Sequence, residues 1–87
     1  MSAPDFEDQP PQSDRLSAYD ERHLVTYLRL LDAERDGATW EEAVAIIFAI
    51  DPGIEPERAR HVHASHLARA KWMTQNGYQH LLSPRTQ

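Results

Sequence analysis

The chain has 87 residues, no cysteine and a formal net charge of −5, with a sequence pI near 5.4. This length suits one domain, which buries about 60% of the surface its unfolded chain exposes. The lack of cysteine excludes disulfides and zinc–thiolate sites, and no apolar run approaches the roughly 20 residues of a membrane span.

Charge is unevenly placed. Residues 1–53 carry a net −8 and residues 54–87 a net +3. The acidic balance argues against non-specific attraction to nucleic acid, and the basic second half works the other way. The opening MSAPDFEDQPPQSD has neither the basic segment nor the apolar core of a signal peptide, and the lack of cysteine suits a cytoplasmic protein.

In chain order, residues 1–17 are rich in Pro, Asp, Gln and Ser, with Phe6 and Leu16 the only large apolar side chains after Met1. So little apolar surface does not offset the entropy of ordering, and a disordered tail is expected there. The domain proper is expected over residues 18–83, with residues 84–87 as a frayed end.

A first helix is predicted from Ala18 to Arg35. Ser17 is placed to cap it, and Asp20 and Glu21 sit in its first turn, where negative charge suits the helix dipole. Leu24, Leu28 and Leu31 recur at helical spacing as a core stripe, and Gly37 supplies a left-handed stop. A second helix starts at Thr39-Trp40-Glu41-Glu42, a capping box with Thr39 at the N-cap, and continues through AVAIIFAI to Ile50. Its buried face is expected to hold Val44, Ile47 and Phe48, with Trp40 at the head of the stripe.

Asp51-Pro52-Gly53 carries turn chemistry. Pro56 fits the first position of a third helix running to about Gln75, closed by Asn76-Gly77. Ala59, Val62, His66, Ala70 and Met73 form its inward face. Tyr78, Leu81 and Leu82 are expected to make a short final turn packed back on the core. The fold class is therefore all-α: three main helices plus a short C-terminal helical turn, with a helix-turn-helix core and an extended turn.

No constellation points to catalysis, a metal or a cofactor. His61 and His63 lie about 200° apart on a helix and cannot share a ligand; His63 and His66, about 60° apart, have no carboxylate partner on that face. Ser65 sits between two histidines at spacings that do not face each other, and no glycine-rich loop is present to cradle a phosphate. His66 is expected in the core and His63 at its boundary. The chain is read as no enzyme, with no cofactor.

Helix-turn-helix topology suggests DNA binding, in which helix N-termini approach phosphates and the start of the recognition helix approaches bases. Here those positions carry Glu41, Glu42, Asp51, Glu55 and Glu57, an acidic surface expected to oppose a duplex. The basic residues of the third helix divide, with Arg58 and Arg69 on one side and Arg60 and Lys71 on the other. Tyr27 and Leu30, beside the first helix's leucine stripe, and Trp72, off the third helix's apolar face, are the candidate partner-binding residues. Trp72 serves equally well as packing for the terminal segments.

The run LRLLDAERDGATWEEAVAIIF, followed by a longer turn, a third helix and GYQHLL, resembles the extended-turn helix-turn-helix domain of activators of conjugative-element transfer. The resemblance covers roughly residues 20–83. It rests on the leucine-rich first helix with Asp32 and Gly37, on Thr39-Trp40, and on Gly77-Tyr78 with Leu81-Leu82. DNA-binding members carry a basic face and an additional N-terminal domain; this chain is acidic, and its N-terminal extension is short. A lone acidic copy is similar to the antiactivators of such elements. The resemblance implies a chain that binds the N-terminal domain of a transcriptional activator of the same domain family. By competition it would block excision and transfer, without direct nucleic acid or membrane contact. It implies a LuxR-type quorum-sensing regulator as a second partner. A DNA-binding helix-turn-helix regulator is the alternative.

Overall fold

The computed structural model describes residues 6–77. The final turn expected at Tyr78, Leu81 and Leu82, the frayed end at 84–87 and the first five residues lie outside the described residues. The elements are α1 (Ala18–Arg22), α2 (Leu24–Arg35), α3 (Trp40–Ile47) and α4 (Pro56–Trp72), followed by a π turn at Met73–Gly77. The described residues are helices and connections without a strand. Helices α2, α3 and α4 pack on one another in all three pairs. The fold is all-α, as the sequence predicts.

The predicted first helix is two helices. Ser17 caps α1 as expected: its hydroxyl takes the Asp20 N–H, and the Asp20 carboxylate takes the Ser17 N–H at 2.9 Å. The helix then breaks at His23, whose φ of −113° and ψ of 21° leave the α region. Beyond the break, α2 buries Thr26, Tyr27 and Leu30. The leucine stripe does not hold the centre of the core: Leu28 is 46% exposed, and Leu24 and Leu31 are only partly buried. The two stripes differ by about 120° around the helix.

This phase corrects the roles expected for Tyr27 and Leu30. They are 2% and 1% exposed, and so are core side chains rather than anchors presented to a partner. The reason is polar as much as apolar. Tyr27 enters the core because its hydroxyl finds a buried acceptor, donating to Asp20 Oδ1 at 2.8 Å. A buried hydroxyl without such a partner would cost about 1–3 kcal/mol.

The core has two parts. Leu30, Ala43, Val44, Ile47, Phe48, Ile50, Ala59 and Val62 form one; Tyr27, Ala70 and Met73 form the other, with Leu16, Leu24, Leu31 and Trp72 packed against it. Every inward residue predicted for the third helix is buried, His66 completely. The capping box of α3 forms, with Glu42 N–H donating to Thr39 Oγ1 at 3.1 Å and Thr39 N–H to Glu42 Oε1 at 3.0 Å. Gly37 takes φ 83°, the left-handed stop expected of it.

Helix α3 is shorter than predicted. It ends at Ile47, and Ala49, at φ 57°, turns the chain so that Ile50 folds back into the core. An alanine in that region costs roughly 1–2 kcal/mol, offset here by burial of Ile50. The connection to α4 therefore spans residues 48–55, longer than the 3–4 residues of a simple helix-turn-helix.

Residues 6–17, expected as a tail, lie on the core. Phe6 packs edge-on against Phe48 with ring centroids 4.9 Å apart, and Pro10 is buried. Apolar surface alone does not order this segment. Arg58 reaches Asp8 at 3.0 Å, and Arg69 donates to the carbonyls of Ser13 at 2.6 Å and Arg15 at 2.8 Å.

Candidate nucleic-acid interface

Helix α4 carries four basic side chains, and the structure assigns them different tasks. Arg69 is internal. Its guanidinium grips Asp20 with two bonds, Nε to Oδ1 at 3.0 Å and Nη2 to Oδ2 at 2.6 Å, both side chains being almost fully buried. It also lies over the Trp72 ring, 4.0 Å from the centroid. Burial acts to raise the Asp20 carboxyl; hydrogen bonds from Arg69, the Ser17 backbone, Tyr27 and the Ser17 hydroxyl outweigh it and hold the group below the usual carboxylate range. Arg58 faces the N-terminal segment, paired with Asp8 and 5.6 Å from the Phe6 ring centroid.

Arg60 and Lys71 are left on the solvent side. They are 11 residues apart, about three helical turns, and so lie on one stripe roughly 16 Å long. His61, Ala64 and Ala68 complete that face, and all five residues are exposed. Arg60 is placed over the Trp40 ring, 4.9 Å from its centroid, and Lys71 pairs with Glu34 at 2.9 Å in an exposed ion pair that contributes little. The two alanines keep the middle of the stripe low between the cations. Of the two cations on the other side of the helix, Arg69 is buried while Arg58 stays exposed but is engaged by Asp8 and Glu55.

The five carboxylates at the helix starts are exposed. Three have local partners. Glu42 closes the α3 capping box, Asp51 Oδ1 takes the Gly53 N–H at 2.8 Å, and Glu55 lies 3.5 Å from Arg58. Glu41 and Glu57 make no ion pair among the described residues. Trp72 is half-buried, against Arg69 and the second part of the core, and so sits on the packing side of its two expected roles.

A second polar chain runs through His66. Its Nδ1 lies 2.9 Å from the Val62 carbonyl, which requires a proton on Nδ1. Nε2 therefore accepts from the Tyr19 hydroxyl at 2.7 Å, and that hydroxyl accepts the Glu7 N–H at 2.9 Å. Burial lowers the His66 pKa. The buried imidazole is thus fully engaged in joining α1 and the N-terminal segment to α4. Among the described residues no three His, Asp or Glu side chains converge to hold a metal ion, and no helix is long and apolar enough to cross a membrane.

An α3–turn–α4 unit braced by α2, with an exposed and partly basic stripe on its second helix, defines a helix-turn-helix domain of regulatory type. Residues 5–83 match the family described as T6SS transcription factor, DNA-binding domain, of RovC type, and the chain belongs to that family. The family is a DNA-binding domain of a transcription factor and not an enzyme class. Comparison with curated proteins gave no match. The family overturns the expectation that the chain has no direct nucleic-acid partner. That expectation weighted all five helix-start carboxylates as a repelling surface, although three of them serve caps and turns. It also set Arg69, which is buried on Asp20, against Arg60 and Lys71 as if it were surface charge.

Proposed function

We propose that this chain is a DNA-binding helix-turn-helix regulatory domain whose α4 stripe enters the major groove. The observation that carries the proposal is the face of α4 formed by Arg60, His61, Ala64, Ala68 and Lys71, on the helix that occupies the recognition position. Arginine is suited to bidentate contact with guanine, and the low alanine surface permits close approach to the groove. The chain's net −5 makes its electrostatic affinity weak, so binding is strongest at low salt.

The test is fluorescence anisotropy with duplexes enriched from a random library, at about 50 mM salt. Arg60→Ala is expected to lower affinity for the enriched site by about tenfold or more, the range of one bidentate base contact. Lys71→Ala is expected to weaken all duplexes alike and to flatten the salt dependence. No enrichment and no low-salt binding would overturn the proposal.

A second reading rests on a different observation: Glu41 and Glu57 stand exposed at the starts of α3 and α4, where a duplex would approach. Such a face suits an antiactivator that holds a transcriptional activator of a conjugative element by protein contact. Capture of that activator by the chain, undiminished by Arg60→Ala and Lys71→Ala, is the result this reading requires.

A further inference from the structure

Between α2 and α3 lies an apolar groove of about 470 Å³, floored by the core residues Ala43 and Ile47 and apart from the α4 stripe. Its small side chains are Ala33, Ala38 and Ala43, and Ile46 stands on its border 70% exposed. A large β-branched side chain this exposed next to an alanine-lined hollow places a knob and a hole on one surface. The charges around the groove are likewise of both signs. Arg29 makes no ion pair among the described residues; Asp32 and Glu42 line the same groove. Asp32 pairs with Arg35 on the open surface at 2.9 Å, and Glu42 caps α3, so both carboxylates stay exposed beside the groove.

A two-fold interface needs one patch that complements itself, in which residue i meets j while j meets i. This groove meets that condition twice, with Ile46 facing a hollow and Arg29 facing carboxylates. We propose that the α2–α3 groove is a self-association surface, and that its occupant is the Ile46 side of a second copy of this chain. In the pair each Ile46 enters the other's alanine hollow, and each Arg29 reaches the other's Asp32 or Glu42. The dimer stands on the groove alone and forms without DNA, so its failure would leave the reading of α4 untouched.

The test is sedimentation of the full chain without DNA, from about 10 µM to about 1 mM, a range that reveals weak association. The weight-average mass is expected to rise from 10.0 kDa toward twice that value. Ile46→Glu is expected to raise the dissociation constant by roughly tenfold or more, with an unchanged circular-dichroism spectrum because Ile46 is outside the core. Arg29→Glu is expected to weaken the pair, and combining it with Asp32→Arg to restore association. A chain that stays at 10.0 kDa throughout would overturn the proposal. So would a dimer indifferent to both Ile46→Glu and Arg29→Glu.

Discussion

Arg58 and Arg69 both tie the N-terminal segment to α4, but Arg58 does so from the surface and Arg69 from a buried pair with Asp20. The signal that identifies Arg69 lies in spacing: residues 62, 66, 69 and 73 follow the 3–4 alternation of a buried stripe. A charge on such a stripe must be paired, and its partner Asp20 is 49 residues away, where no local pattern points. Removing one side of this pair leaves the other buried and uncompensated. Arg69→Met is therefore expected to cost about 3–5 kcal/mol, and Tyr27→Phe, which deletes one hydrogen bond to Asp20, about 1 kcal/mol. Urea denaturation measures both. Equal, small losses would show that Asp20 is solvated.

Three histidines and Asp20 set the response to pH. Burial lowers His23, His63 and His66 below the ordinary histidine value. A histidine depressed in the fold is protonated first in the unfolded chain, so its stabilising contribution is complete above about 6.5 and is lost as pH falls through the lower folded values. Asp20, also depressed, adds a second loss that begins below about 3.9 and runs through its own lower value. The urea midpoint is expected to be flat between about pH 8 and 7 and to decline below about 6.5. His66→Gln should make that decline shallower while leaving some of it to His23 and His63. An unchanged decline in His66→Gln would remove His66 from this account.

Among the elements, α3 and α4 were the most legible, because each begins with a strong local signal: a capping box and a proline at the first position. The phase of α2 was not. Three leucines at helical spacing outweighed Tyr27 by hydrophobicity, but the break at His23 and the buried acceptor at Asp20 turned the tyrosine inward. The N-terminal segment misled for a related reason. Its composition contains few apolar residues, and its ordering comes from carbonyls and one carboxylate taken by arginines of α4, which no composition reveals. Phe6→Ala is expected to cost about 1–2 kcal/mol, less than the roughly 3–5 of a fully buried phenylalanine. Deleting residues 1–16 should cost more, lowering the melting temperature by about 4–8 °C for each kcal/mol lost in a domain of this size. Calorimetry checks both. An unaltered melting temperature after the deletion would return the segment to the disordered tail its composition suggests.

At the scale of the whole molecule, net charge is a poor guide to the family. The sum of −5 joins charges with different duties: carboxylates that cap helices, a buried pair that cancels, and two cations that remain on one open face of α4. The topology was legible from caps, glycines and periodicity. The proposed recognition face was not, because it depends on which arginines the fold consumes. Titrating the isotope-labelled chain with an enriched duplex at about 50 mM salt tests the central claim directly. Amide shifts are expected to concentrate at Arg60, His61, Ala64, Ala68 and Lys71, and to be lost in the Arg60→Ala, Lys71→Ala double variant. Shifts absent from α4, or a spectrum unmoved by any duplex, would contradict it.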